Sequence, residues 1–488
     1  MRRIARNTIL ALACGWGQLQ AQQTFEPIKL GALTFSGNIR DRLENWHWFT
    51  PTGTANPKYT FNGTTVRFGL TQNLKTFDWQ LEMEVPILAN LPDNAVATGT
   101  PGQLGLGASY YVSNNKSTNS AMLFPSKAFL RLHRFLGSEF STLQLGRFDF
   151  QDGGEVAPKD PTLAPLKRDR IQQRLIGPFG FTDVMRSFDG FHYVYNQPKI
   201  NYTLVGAVPT RGVFQTDGWG WNHIAFGYGS VTGQVQNGPN TADWRLFAIY
   251  YDDWRPVVKV DNRAAAAKAA DHGNIRIATF GVHYVNVTKT AAGAVDLLGE
   301  FAGQIGDWGV QQQRAYMFDA EAGFQPNILP KLKPWIRAGY YFGSGDTNPG
   351  DSRHGTFFQM LPTARPYARF PFFDMENLVD RFAMMTLRPH PRLAIHNEIH
   401  SLRLASRNDL WYAGGGAFQP WTFGFQGRAA SGAASLANLY DVNVDVAVNA
   451  HLSVSPYLGY AAGKSVIQAI YPKGKDGHLE FLEATYRF

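Results

Sequence analysis

Apolar and polar residues alternate with a period of two along most of the chain, and the second face is often charged. In "YDVNVDVAVN", Tyr440, Val442, Val444, Val446 and Val448 oppose Asp441, Asn443, Asp445 and Asn449. In "DWQLEMEV", Trp79, Leu81, Met83 and Val85 oppose Gln80, Glu82 and Glu84. In "LTFSGNIRDRLE", Leu33, Phe35 and Ile39 oppose Ser36, Asn38, Arg40 and Arg42. Successive side chains of a strand point to opposite faces, so each segment predicts a β-strand with one oily and one ionic face. The final "DGHLEFLEATYRF" holds Leu482, Ala484, Tyr486 and Phe488 on one face to its last residue, which predicts a strand that buries that face.

Roughly eighteen such segments begin near residues 32, 59, 77, 126, 140, 186, 199, 221, 242, 274, 295, 313, 332, 379, 391, 438, 451 and 476. After each even-numbered strand the link is short, as in "GSE", "NQP", "RPHP" and "NAH". Most odd-numbered strands are followed by a long link, notably residues 91–125, 151–185, 255–273, 345–378 and 405–437. That parity puts the long loops on one side of a closed, antiparallel up-and-down sheet. The predicted fold class is therefore all-β: a transmembrane barrel of about 18 strands with short periplasmic turns and long extracellular loops. A soluble sandwich also alternates, but it seldom keeps loop parity over so many hairpins or carries so ionic a second face.

Composition changes this picture in three ways. No run of about 18 apolar residues exists to form a membrane helix, and mean hydropathy is −0.25, so strands are the only means of crossing. The opening "MRRIARNTILALACGWGQLQAQQ" has the pattern of a secretory signal, giving a signal peptide at 1–21 and a barrel at 22–488. The single cysteine, Cys14, leaves with that signal, which excludes disulfides and thiol catalysis in the mature chain. Loss of Arg2, Arg3 and Arg6 also lowers the net charge from +8 to +5. That modest balance points to no nucleic-acid partner. The expected location is the bacterial outer membrane, in contact with lipid and lipopolysaccharide. Trp46, Trp48, Trp79, Trp254, Trp308, Trp335 and Tyr486, near strand ends, are expected to form interfacial girdles.

A barrel of this size encloses an aqueous channel. By alternation its lumen carries Arg40, Arg42, Arg67, Arg131, His133, Arg337, His396 and His400, interleaved with Glu44, Glu82, Glu84 and Glu398. Guanidinium groups in a confined pore bind carboxylates bidentately, which favours anionic cargo. Mutual neutralisation with weak selectivity is the competing reading. In the third loop, Lys167, Arg168, Arg170, Arg174 and Arg186 lie close together. Folded into the pore they build a positive constriction; left in solvent they meet lipopolysaccharide.

"HNEIH" places His396, Glu398 and His400 on one strand face, with Cα atoms about 6.5 to 7 Å apart. That spacing is wide for one ion, so they are read as pore lining and no metal is assigned. The motifs of metalloproteases, serine hydrolases and phosphate-cradling loops are absent, so neither an enzyme nor a cofactor is expected. The Ala-rich "DNRAAAAKAADHG" predicts a short surface helix capped by Asp261 or Asn262.

Six stretches, "LTFSGNIRDRLE", "LQLGRFDFQDGGE" with "RSFDGFHYVY", "GYYFGSGDTNPGD" with "FFQMLPTAR", and "NEIHSLRLASRNDLWY", occur in the order found in the alginate-export family of outer-membrane porins, which the chain resembles. The resemblance implies an eighteen-stranded barrel whose arginine-rich constriction passes a polyuronate outward by diffusion, with periplasmic secretion components as further partners. It puts Arg40, Arg42, Arg147, Asp149 and Asp189 near the pore, and implies pore roles for Asp346 and Arg365 of the seventh loop and for Glu398 and His400. Arg147 shares parity with Leu143 and Leu145, so a pore position for it requires a bulge. The best-known member has a long periplasmic turn between its sixteenth and seventeenth strands, where this chain has only "NAH". A general uptake porin for small sugars or uronates is the alternative, and a non-conducting surface adhesin a third.

Overall fold

The alternating segments assemble as their pattern dictates. A computed structural model describes residues 26–363 and 369–488; the expected signal peptide and Arg365 lie outside the described residues. Eighteen long strands form one antiparallel barrel. They are β1 (Leu33–His47), β2 (Lys58–Asn73), β3 (Phe77–Ala89), β4 (Phe124–His133), β5 (Ser141–Phe148), β6 (Phe188–Asn196), β7 (Ile200–Pro209), β8 (Ile224–Asn237) and β9 (Asn240–Asp253). They continue as β10 (Ile275–Thr290), β11 (Gly293–Trp308), β12 (Gln311–Pro326), β13 (Trp335–Gly343), β14 (Leu378–His390), β15 (Leu393–Leu404), β16 (Ser435–Ala447), β17 (Leu452–Gly463) and β18 (Asp476–Arg487). Every predicted start falls within three residues of an observed one.

Closure is made by β18 on β1, in register from Asn38↔Arg487 to His47↔His478. Gly37 and Phe488 then exchange backbone hydrogen bonds at 2.8 and 3.0 Å. On β18, Leu482 and Tyr486 stand on the outer wall while Leu479, Phe481 and Glu483 face inward. Leu246, Tyr250, Phe280 and Ile305 continue the apolar outer surface that a bilayer requires.

The inside is filled by the long loops. Helix α1 (Leu106–Ser113) of the second loop and helix α2 (Leu163–Arg170) of the third both enter the barrel, and residues of the seventh and eighth loops pack with α1 and with Leu175 and Ile176 of the third loop. The second loop lies over the outer end, its Tyr110 against Phe61 and Phe214. A large buried cluster results, in which Trp48, Phe49, Phe370, Phe372 and Trp411 meet edge to face.

That packing corrects the expected aromatic girdle. Trp46, Trp48 and Trp308 are no more than 3% exposed and belong to the interior, and Trp335 donates inward to Asp296 at 2.7 Å. Trp254 and Tyr486 do stand on the outer surface. The Ala-rich helix, α3 (Ala265–Ala270), begins without a side-chain cap. Asp261 is taken by Arg263, receiving both its backbone N–H and its guanidinium.

Candidate functional site

The third loop runs down the inside of the barrel, held by opposite charges on opposite walls. On one side Leu163, Leu166 and Ile171 pack on Val285, Val287 and Leu298 of β10 and β11. Around that apolar seat, alternation brings the inward acids Asp243 of β9, Asp296 and Glu300 of β11, and Asp319 and Glu321 of β12 to one face. Lys167 Nζ lies 2.8 Å from Asp243, whose same oxygen is 3.1 Å from His283 Nε2. Arg170 reaches Glu321 at 2.8 Å, and Arg174 reaches Glu300 at 2.8 Å and Asp319 at 2.7 Å. Arg337 of β13 joins the same network through Asp296 and through Glu321 at 2.6 Å.

On the other wall the polarity is reversed. Asp183 of the loop faces Arg40 at 3.3 Å and Arg42 at 3.5 Å. Arg40 donates to the Gly180 carbonyl at 2.8 Å, and Arg42 to the Phe181 carbonyl at 2.7 Å. The Asp183 backbone N–H donates to the Tyr110 hydroxyl at 2.8 Å, tying the second loop to the same point. Such pairs are desolvated and hydrogen-bonded on several sides, so loss of one partner costs about 3–5 kcal/mol. Arg186, buried nearby and donating to the Gly415 carbonyl, has its pKa lowered to about 9 by burial. Asp152, at the start of the loop, accepts from the Leu175 and Ile176 N–H groups at 3.0 and 2.9 Å, and burial raises it to about 6.

Phe179, Gly180 and Phe181 thereby separate two cavities. The outer one, of about 300 Å³, is bounded by loops and is strongly aromatic, with Trp48, Phe214, Phe418, Phe423 and Phe425 beside Arg428. The inner one, of about 110 Å³, lies toward the short-turn end. It is lined by Arg168, Arg170, Arg337, Arg369, Arg388 and His396 against Asp169, Glu398, Asp441 and Asp445. Phe181 borders both.

The candidate residues therefore divide. Arg168, Arg170, Arg337 and Glu398 line the inner chamber, while Arg40, Arg42 and Arg67 line neither cavity. Arg67 is 2.9 Å from Glu84, and Arg131 is 2.7 Å from Gln144 and 3.5 Å from Asp78. Lys127 bridges Glu82 at 3.3 Å and Asp149 at 3.1 Å on the lumen side. His400 is turned to Asp380 at 2.8 Å, and Arg174 is enclosed in its acidic seat. Asp346 sits in the packing of the seventh and eighth loops, its N–H donating to Asp409 at 2.8 Å.

Arg147 and Asp189 depart from the family-based expectation. The β4–β5 and β5–β6 pairings run in unbroken register past Arg147, so no bulge turns it inward. It stays on the outer face with Leu145, paired to Asp189 at 2.7 Å, and Trp221 donates to the same carboxylate at 2.6 Å. Sequence reasoning missed Arg369 and Arg388, although Arg388 shares parity with the inward Phe382. It also missed Phe181 and Asp183, which lie in a loop with no periodicity to mark them.

A family described as "Alginate export" matches residues 168–464, a span that begins in α2 and ends after β17. Among curated proteins none matches. Several solved structures share the fold. The outer membrane protein OpdK of Pseudomonas aeruginosa is 9% identical, covers 93% of this chain and 98% of its own, and has a TM-score of 0.52. The same protein solved with vanillate gives 8%, the same coverage and 0.53. A BenF-like porin from Pseudomonas fluorescens Pf-5 gives 7%, 94% and 99%, and 0.58.

Proposed function

The chain belongs to the alginate export family and forms an outer-membrane β-barrel channel, and from that membership we propose that it passes acidic saccharides of the polyuronate class by diffusion. The observation that carries this reading is the succession of an aromatic outer cavity and a cationic inner chamber on the two sides of Phe181. Flat aromatic faces suit the apolar faces of sugar rings. Guanidinium groups suit their carboxylates, which they bind bidentately, and the chamber's acids keep the grip weak enough for release. Anion preference is then assigned to Arg168, Arg369 and Arg388 of the chamber. Arg40 and Arg42 act by holding the third loop.

Uptake of single uronates or small sugars is the second reading, favoured by the chamber volume of about 110 Å³. A threaded polymer needs the third loop to give way, whereas a monomer does not. Reversal potential across a planar bilayer under a salt gradient, with oligouronates of increasing length added on one side, tests both. Anion preference with length-dependent blockade supports the polyuronate reading. Cation preference overturns it, and weak selectivity without blockade favours the small-solute porin.

A further inference from the structure

We propose that Glu398, His400 and Asp441 form a binding site for one divalent cation of the Zn²⁺ class in the wall of the inner chamber. Antiparallel pairing of β15 with β16 sets Glu398 directly opposite Asp441, and the two-residue period puts His400 on the same inward face. One donor atom from each residue lies within 4.8 Å of the other two. The "HNEIH" spacing alone does not give this set. His396 turns away to Asp445 at 3.4 Å, and the third ligand comes from the neighbouring strand.

A second observation singles out the histidine. His400 is 1% exposed, and among the described residues its buried Nε2 has no well-aligned hydrogen-bond partner, the nearest carboxylate oxygen being Glu398 Oε2 at 3.5 Å. On the other side of the ring, Nδ1 lies 2.8 Å from Asp380 Oδ2. With Nδ1–H donating to Asp380, Nε2 is the ring atom turned toward Glu398 and Asp441, and a bound cation would take the place of its proton. A carboxylate behind an imidazole is the arrangement that orients metal-ligating histidines.

Zn²⁺ bonds of about 2.0–2.2 Å place tetrahedral donors roughly 3.5 Å apart. Glu398 Oε2 and His400 Nε2 already stand at that separation, so Asp441 need close by no more than about an ångström. One nitrogen with two carboxylates favours Zn²⁺ over Mg²⁺ or Ca²⁺, which take all-oxygen sets. Glu398 and Asp441 both border the chamber, so the fourth position faces the solute path. Metal binding here is independent of which solute passes.

Chelator-stripped full-length protein in detergent is titrated with ZnCl₂ by calorimetry, in the presence of excess MgCl₂. We expect one equivalent to bind. Affinity should fall at least about tenfold in both His400→Gln and Glu398→Gln, and by about 10–100-fold in Asp380→Asn. Heat-modifiable gel mobility confirms in each case that the barrel is intact. His47→Gln serves as the control, because His47 and His478 meet edge to face on the outer side of the β1–β18 seam, with ring centres 4.5 Å apart. Absence of a one-equivalent phase, unchanged affinity in His400→Gln, competition by Mg²⁺, or loss in His47→Gln overturns the site.

Discussion

The Arg42 guanidinium donates to the Phe181 carbonyl at 2.7 Å and lies 4.6 Å from the centre of the Phe181 ring. An inward arginine on the first strand thus fixes the residue that separates the two cavities. We expect Arg42→Gln to free residues 179–181 and raise single-channel conductance severalfold. If conductance stays at the wild-type level while anion preference falls, Arg42 acts on the solute and not on the loop.

Gly63 offers the same perturbation without a change of charge. A Cβ at this inward position of β2 would land on the Asp183 carboxylate. Gly63→Ala should therefore displace Asp183 from Arg40 and Arg42 and also raise conductance, with selectivity set by the same charges as before. Wild-type conductance in this variant would mean that the contact is not what keeps the passage narrow.

Across the barrel, Lys167 and Asp243 form a buried ion pair at 2.8 Å. Lys167→Met leaves an uncompensated carboxylate and should weaken docking of the third loop by about 3–5 kcal/mol, while Lys167→Met with Asp243→Asn recovers most of the loss. The rate of proteolysis within residues 149–187 reports this directly. Equal resistance in the single and double variants contradicts a charge latch.

What the sequence could reveal follows from the range of each interaction. Alternation is local, so strand starts, loop sides and the inward faces of Arg40, Arg42 and Arg337 are legible residue by residue. The partner of Arg40 is not, because Asp183 lies 143 positions away in an aperiodic loop. The tryptophans carry a different lesson. Trp46 shares parity with Arg40, Arg42 and Glu44, and Trp308 with Glu300 and Gln304, so their inward direction is written in the same alternation. The expectation of interfacial aromatics overrode it. Arg147 is the reverse case, where parity with Leu145 predicts the outer face and the family resemblance points to the pore. Asp441 joins Glu398 only through cross-strand register, which no single segment encodes.

Selectivity is expected to reside in the inner chamber. Among the described residues Arg388, which lines it, takes no ion-pair partner, and Arg168 pairs only with its neighbour Asp169, at 2.7 Å. Arg168→Gln with Arg388→Gln should shift the reversal potential toward cations and abolish oligouronate blockade, leaving conductance within about a factor of two. Unchanged selectivity would return the charge argument to the outer mouth.

The outer loops should tighten as the medium becomes acidic. Asp409 accepts from the Asp346 N–H, the Leu410 N–H and the Thr356 and Tyr412 hydroxyls, yet burial raises its pKa from 3.8 to about 6. Burial also pushes Asp374 and Glu376, on the seventh loop, well above the usual carboxylate range. A raised carboxyl pKa means that the folded loops bind the proton more tightly than the unfolded chain. The Asp409 contribution is then fully present below about pH 4 and is lost as pH rises through about 6, a difference of roughly 3 kcal/mol. Amide exchange should show higher protection factors in residues 405–434 at pH 5 than at pH 7.5, with the contrast reduced in Asp409→Asn. Protection that instead grows with pH would show that the four donors hold Asp409 as the carboxylate and that burial is the weaker influence.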